Sequence, residues 1–286
     1  MDAARSQAAP QPDSGPGGWI ARLNLRYAPR DRCTRLMQRR HHGPLLVQRS
    51  FHPEGATCHS YVLHPPGGVV GGDQLTLDAH LEASAEVLIT TPAAAKFYRS
   101  VGPWATQRQH LTVSADAALE FLPAETILHG GSRVQLENHV HLASSSRFCF
   151  WDILCLGRPG SGDHFADGHC RQSLTVFRDG DALLHERLQL DHGDGMLGEA
   201  WGLDGRTVLG TLLATPAGPD LVQRLRDELG SVEGLRFGLT LRDGLLQLRC
   251  LGFGVEPVRQ LLQRAWVLLR QAVIGRAACP PRIWST

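Results

Sequence analysis

The sequence predicts a mainly β protein, with a large multi-stranded β body followed by a small C-terminal βαββα portion containing two helices. Three observations carry this. From Trp19 to about Glu186 the hydrophobicity alternates with period two between clusters of Gly, Pro, Asp and Ser, as half-buried strands do. After about Val208 the pattern becomes strand, helix, hairpin, helix. Hydrophobic residues make up 42% and charged residues 20% of the 286 positions, the composition of an ordinary folded chain.

Taken in order, residues 1–18 are rich in Ala, Pro, Gly, Ser and Gln and read as a disordered tail without the apolar stretch of a signal peptide. In Gln74-Leu75-Thr76-Leu77-Asp78-Ala79-His80-Leu81 the residues Leu75, Leu77, Ala79 and Leu81 share one face. The same alternation runs through Val134 to Leu142. Leu174 to Phe177 turns at Arg178-Asp179-Gly180-Asp181 into Ala182 to Glu186. Residues 19–207 are therefore expected to be all-β and 208–286 to form the βαββα portion. In the latter, Val208 to Ala214 is a strand, and Pro219 to Leu229 has helical spacing with a Gly230 stop. Phe237 to Leu241 turns at Arg242-Asp243-Gly244 into Leu245 to Leu251. Pro257 to Ile274 is an amphipathic helix with Val258, Leu261, Leu262, Ala265, Trp266 and Leu269 on one side. No internal sequence repeat is visible.

Lys plus Arg exceed Asp plus Glu by one, so no global basic field is available to hold a nucleic acid. The most apolar runs, Phe148 to Leu156 and Ala265 to Ile274, are about half the length of a membrane span, so no membrane partner is expected. Seven cysteines without a C-x-x-C pair disfavour both a disulfide framework and a structural zinc site, and fit reduced thiols in the cytoplasm. There is no G-x-S-x-G, H-E-x-x-H or P-loop, so no catalytic residue is assigned and an enzyme is not expected.

Three segments stand out. His64-Pro65-Pro66-Gly67-Gly68-Val69-Val70-Gly71-Gly72-Asp73 demands close backbone approach at several glycines, and lacks the helix and Lys-Ser/Thr of a phosphate cradle. Thr90 to Ser100 sets small residues beside Lys96-Phe97-Tyr98-Arg99, which suits a contact surface or a packed strand end equally. Phe148 to Arg158 is apolar on both alternating faces and so reads as a central strand, yet it carries Asp152. That carboxylate must find a cation such as Arg158, be protonated, or line an internal water-filled space. Among the fourteen histidines, Cys58 and His64 are too far apart along an extended strand to share an ion. His139 and His141 share a face that also carries Gln135 and Glu137 and reads as solvent-facing. His41-His42 reads as a surface pair. No tight metal site is expected.

Together these segments resemble the urease accessory protein D family (UreD, called UreH in some organisms), from about Trp19 to the C-terminus. The likeness rests on Gly43 to Arg49, Cys58-His59, His64 to Asp73, Lys96 to Ser100, Leu119 to Pro123, Trp151 to Arg158, Glu186-Arg187-Leu188 and Pro281 to Trp284. It implies that 19–286 is a single UreD-like domain, mainly β with two helices. It also implies a cytoplasmic, non-catalytic scaffold that joins accessory protein F and the GTPase accessory protein G to apo-urease. The resemblance further implies an internal passage for nickel, with Asp73, Asp152 and Glu186 matching residues tied to it in relatives. Nickel would then be bound only in transit, with no tightly held cofactor. A hydrated carboxylate is a hard oxygen ligand that holds a divalent ion weakly, as transit requires. Some relatives carry a hydroxyl residue where this chain has Ala95.

Overall fold

The computed structural model describes residues 17–285. Most of the expected tail lies outside the described residues, and Gly18 already packs on Gly72 and Asp73. In chain order the strands are β1 (Ile20–Arg30), β2 (Cys33–His42), β3 (Leu46–Val47), β4 (Cys58–Leu63), β5 (Gln74–Leu81), β6 (Glu86–Thr90), β7 (Ala95–Phe97), β8 (Ala105–Val113) and β9 (Ala118–Phe121). There follow β10 (Thr126–Leu128), β11 (Arg133–Leu142), β12 (Arg147–Leu156), β13 (His169–Arg178), β14 (Asp181–Asp191) and a one-turn helix α1 (Gly195–Gly198). The C-terminal portion is β15 (Val208–Thr215), α2 (Pro219–Leu229), β16 (Arg236–Arg242), β17 (Leu245–Gly252) and α3 (Val255–Leu269).

The β body is a solenoid of about four turns rather than a set of hairpins. One wall is a seven-stranded sheet in the order β14-β13-β11-β8-β5-β1-β2, in which β1, β5, β8, β11 and β13 are parallel neighbours. The other is a ten-stranded sheet in the order β16-β17-β15-β12-β9-β6-β4-β3, with β7 and β10 paired beside β12. Cys58 pairs with Val87, Val87 with Leu119 and Leu119 with Phe148. Each turn of the chain therefore takes about 30 residues. The coil repeats in backbone geometry although its residues do not. Two Asp-Gly turns, Asp179-Gly180 and Asp243-Gly244, have positive φ at both positions and close the β13–β14 and β16–β17 hairpins.

Two apolar cores follow from the alternation. Leu75, Leu77, Ala79 and Leu81 are buried between the two sheets, as expected, together with Phe148, Phe150, Leu154 and Leu156 from β12. The opposite face of β12, with Cys149, Trp151, Ile153 and Cys155, packs with the helices in a second core. Thus β12 is the central strand its sequence predicts. The helix expected from Pro257 begins at Val255, and its last turn, Arg270–Ile274, is of π type. All six residues on its predicted apolar side are buried. The helix is pinned to the solenoid by a buried charge network. Arg270 Nε donates to Glu120 at 3.0 Å, the Trp266 indole N–H donates to Glu120 at 2.7 Å, and the Arg270 guanidinium also reaches Glu54. All seven cysteines are unpaired.

Candidate functional site

The site grows out of the intersheet core, where a few inward positions are polar. On β8, Gln107 and Gln109 alternate with Arg108 and point inward. On β11 Asn138 sits between the buried Leu136 and Val140, and on β13 Gln172 does the same work. In-register pairing lines these up. Leu77, Gln109, Asn138, Leu174 and Glu186 form one lateral row, and Leu75, Gln107, Leu136, Gln172 and Leu188 form the next. Asp152 reaches toward them from β12, and the Gln172 amide donates to its carboxylate.

Two cavities open beside these rows. The first, about 220 Å³, is lined by Leu77, Gln107, Gln109, Asn138, Phe150 and Asp152 among others. The second, about 660 Å³, is lined by Asp152, Gln172, His185, Glu186, Arg187 and Arg249 among others. Asp152 belongs to both. Burial pushes its carboxyl up to about 6, opposed by the hydrogen bonds from Gln172 and from the Ile153 backbone.

The cation alternative for Asp152 is overturned. Among the described residues Asp152 forms no ion pair. Arg158 lies beyond the end of β12, exposed, in a turn closed by backbone bonds with Asp163. Proximity along the sequence suggested Arg158, but the strand ends two residues before it and the chain turns away.

Glu186 is on β14 and accepts a hydrogen bond from Gln247 at 3.0 Å and an ion pair from Arg249, so it ties the first wall to β17 of the second. Asp73 is differently placed. Its two carboxylate oxygens accept the backbone N–H of Trp19 (2.7 Å) and of Val70 (2.9 Å), and it is buried in the turn it holds, outside both cavity linings. The structure thus brings Asp152 and Glu186 to one cavity and leaves Asp73 clamping the glycine-rich loop. The loop itself meets the first cavity through His64, Pro65, Gly67 and Val69. Burial holds His64 below the ordinary imidazole range, with Asp73 acting in the opposite direction.

All three conspicuous segments meet at the first cavity, with Thr90 to Lys96 and Phe150 to Asp152 joining the loop there. The glycines have a mechanical reason. A Cβ on Gly68 would lie 2.1 Å from the Tyr98 ring, and one on Gly71 would lie 2.0 Å from Ser100 Oγ. Ala95 lines the cavity beside its pairing partner Thr126, which supplies a hydroxyl at that level. The amides Gln107, Gln109, Asn138 and Gln172 were not singled out from sequence. Asn138 on a face shared with Leu136, Val140 and Leu142 was the available signal.

Among the described residues no three His, Cys, Asp or Glu side chains gather closely enough to hold a metal. His139 and His141 lie on the outer face of β11, as expected, where His141 stacks on Phe177 with ring centroids 5.0 Å apart. Among the described residues no helix is long and apolar enough to cross a membrane.

Comparison with known proteins gives a consistent answer. The family model for UreD urease accessory protein matches residues 20–285. The urease accessory protein UreD of Alkalilimnicola ehrlichii is 51% identical over 282 residues, covering 98% of this chain and 96% of the relative. That of Pseudomonas entomophila is 43% identical over 286 residues, covering the whole of both. That of Pseudomonas putida strain W619 is 44% identical over 269 residues, covering 94% of this chain and 95% of the relative.

Proposed function

The chain belongs to the UreD urease accessory protein family, whose members are non-catalytic scaffolds in nickel insertion and urease maturation, and from that premise we propose that nickel crosses this chain through the two cavities that meet at Asp152. The partners are accessory protein F, the GTPase accessory protein G and apo-urease, working in the cytoplasm. Asp152 and Glu186 line the route. Asp73 shapes its neighbourhood by holding the glycine-rich loop.

The observation that carries this reading is an enclosed carboxylate, without a cation partner among the described residues, that lines both cavities. An unpaired buried carboxylate is costly, and the cost is relieved where water or a passing cation reaches it. Cavities of this size hold many waters, and the facing amides offer them hydrogen bonds. Amide and carboxylate oxygens are hard ligands that retain a borderline ion such as nickel weakly. At the far side, Arg249 balances the charge of Glu186, so that acid does not become a trap.

The test is to assemble Asp152→Asn with F, G and apo-urease and measure nickel in the matured urease. Full assembly with nickel content reduced several-fold supports conduction. Full assembly with wild-type nickel content overturns it and leaves a scaffold that shapes urease without touching the ion.

A further inference from the structure

The outer face of the seven-stranded wall carries a second polar arrangement that the passage does not use. In-register parallel pairing places Asn24, Asp78, His110, His139 and Thr175 side by side across five strands. Neighbours in such a row stand about 4.8 Å apart. The row is organised rather than merely adjacent. His110 Nδ1 is 2.8 Å from the Asp78 carboxylate, which fixes the ring and directs the lone pair of Nε2 outward. The His139 ring lies next to it, with centroids 5.4 Å apart and planes at 46°.

From these observations we propose that His110 and His139 form a surface site for a borderline divalent transition-metal ion, with Asp78 as the residue that positions His110. Two imidazoles sharing one ion at about 2.1 Å per nitrogen place their ring centroids roughly 4.5–5.5 Å apart, and this pair already has that spacing. Partial burial, and then the neighbouring His110, hold His139 below the ordinary imidazole range, which favours the neutral ring with one nitrogen lone pair open to a metal. The surroundings are compatible with bound charge. On one side Arg108 is neutralised by Glu137 at 2.7 Å, and on the other His141 is occupied by Phe177. The site is reachable from solvent, since the His110 and Asp78 side chains are each 42% exposed and His139 is only partly buried. Two protein ligands leave the remaining positions to water, which makes an exchangeable site rather than a store. The choice among nickel, zinc and copper follows the usual order of affinity and availability.

The experiment is titration of nickel(II) chloride, by calorimetry, into the full-length chain produced with its F partner. Wild type is compared with His110→Gln, His139→Gln, Asp78→Asn and Asp152→Asn. Thermal melting of the His110, His139 and Asp78 variants establishes that these outer-face changes leave the fold intact. The expected result is that either histidine variant loses one nickel equivalent or weakens it at least tenfold. Asp78→Asn should weaken the same equivalent several-fold, and Asp152→Asn should leave it unchanged. An unchanged isotherm in both histidine variants overturns the proposal, as does loss of this equivalent in Asp152→Asn. Because the passage variant is scored separately, failure of this site and failure of the passage are distinguishable.

Discussion

Replacing Asp152 by Asn should stabilise the chain while impairing nickel delivery, two effects that a merely structural residue does not combine. The Asp152 carboxyl has an ordinary value of 3.8 and is pushed to about 6 by burial. Between those pH values the folded chain keeps a proton that the unfolded chain has released, so folded stability falls as pH rises through this window. Each unit costs about 1.4 kcal/mol. The full window amounts to about 3 kcal/mol as an upper limit, reduced by whatever water in the cavities already solvates the charge. Above pH 6 the deficit is constant, and below 3.8 it vanishes. Asn is nearly isosteric, still accepts from Gln172, and carries no charge to desolvate. Melting curves of both proteins from pH 5 to 8 should therefore show the Asn variant more stable, with an advantage that grows up to about pH 6 and then levels. At ~2 °C per kcal/mol for a chain of this size the difference is readable. A variant that melts below wild type at pH 8, or a gap independent of pH, refutes the reasoning that Asp152 is an enclosed, unpaired carboxylate.

Other outcomes follow from separate parts of the molecule. Arg270→Ala should cost about 3–5 kcal/mol, because it leaves the buried Glu120 without its cation and Glu54 with His59 as its remaining partner, and chemical denaturation measures it. Gly68→Ala should cost about 1–3 kcal/mol through collision with Tyr98, whereas Gly67→Ala meets no neighbour and is strained only by its φ of 73°, so the melting temperatures of the pair separate packing from backbone. The isolated chain should aggregate at high concentration and become monodisperse with its F partner. Its net charge is +1, and Val101, Trp201 and Phe253 are 100%, 70% and 61% exposed; size-exclusion chromatography at several concentrations decides it.

Much of this architecture was legible because side-chain alternation reports burial directly. Leu75, Leu77, Ala79 and Leu81 announced the intersheet face, the two apolar faces of β12 announced its central position, and the Asp-Gly turns announced their hairpins. Strand pairing was less visible. Period two is the same in parallel and antiparallel sheets, and the solenoid repeats its backbone every thirty or so residues with different residues at each level. Asp152 stood out in the sequence, but its partner did not. Arg158 is near in sequence, whereas Gln172 is twenty positions away and enters only because β13 lies in the opposite wall. The tie between Glu186 and Arg249 likewise joins residues of different sheets and leaves no local trace.

The parallel coil also explains how a β protein holds polar cavities between its sheets without a closed barrel. Stacking strands in register turns each inward position into a row that runs along the solenoid axis, across every turn. Apolar residues at most levels close the core, as Leu111, Val140 and Val176 do. Polar residues at adjacent levels on neighbouring turns open a groove instead. Gln107 and Gln109 on β8, Asn138 on β11, Gln172 on β13 and Glu186 on β14 step from one turn to the next, and Asp152 faces them from the opposite wall. An amide in such a place is tolerated only if something hydrogen-bonds to it. Gln172 is the one inner amide of this group that meets Asp152, whereas Gln107, Gln109 and Asn138 face the first cavity, where any water that enters would meet their hydrogen-bonding groups. Replacing Asn138 by Leu, the residue type of its pairing partner Leu174 on β13, would dry the groove at its midpoint while keeping the fold. Unlike Asp152→Asn it removes no charge, so a loss of nickel delivery from it would locate a requirement in the polar lining of the groove beyond the Asp152 charge.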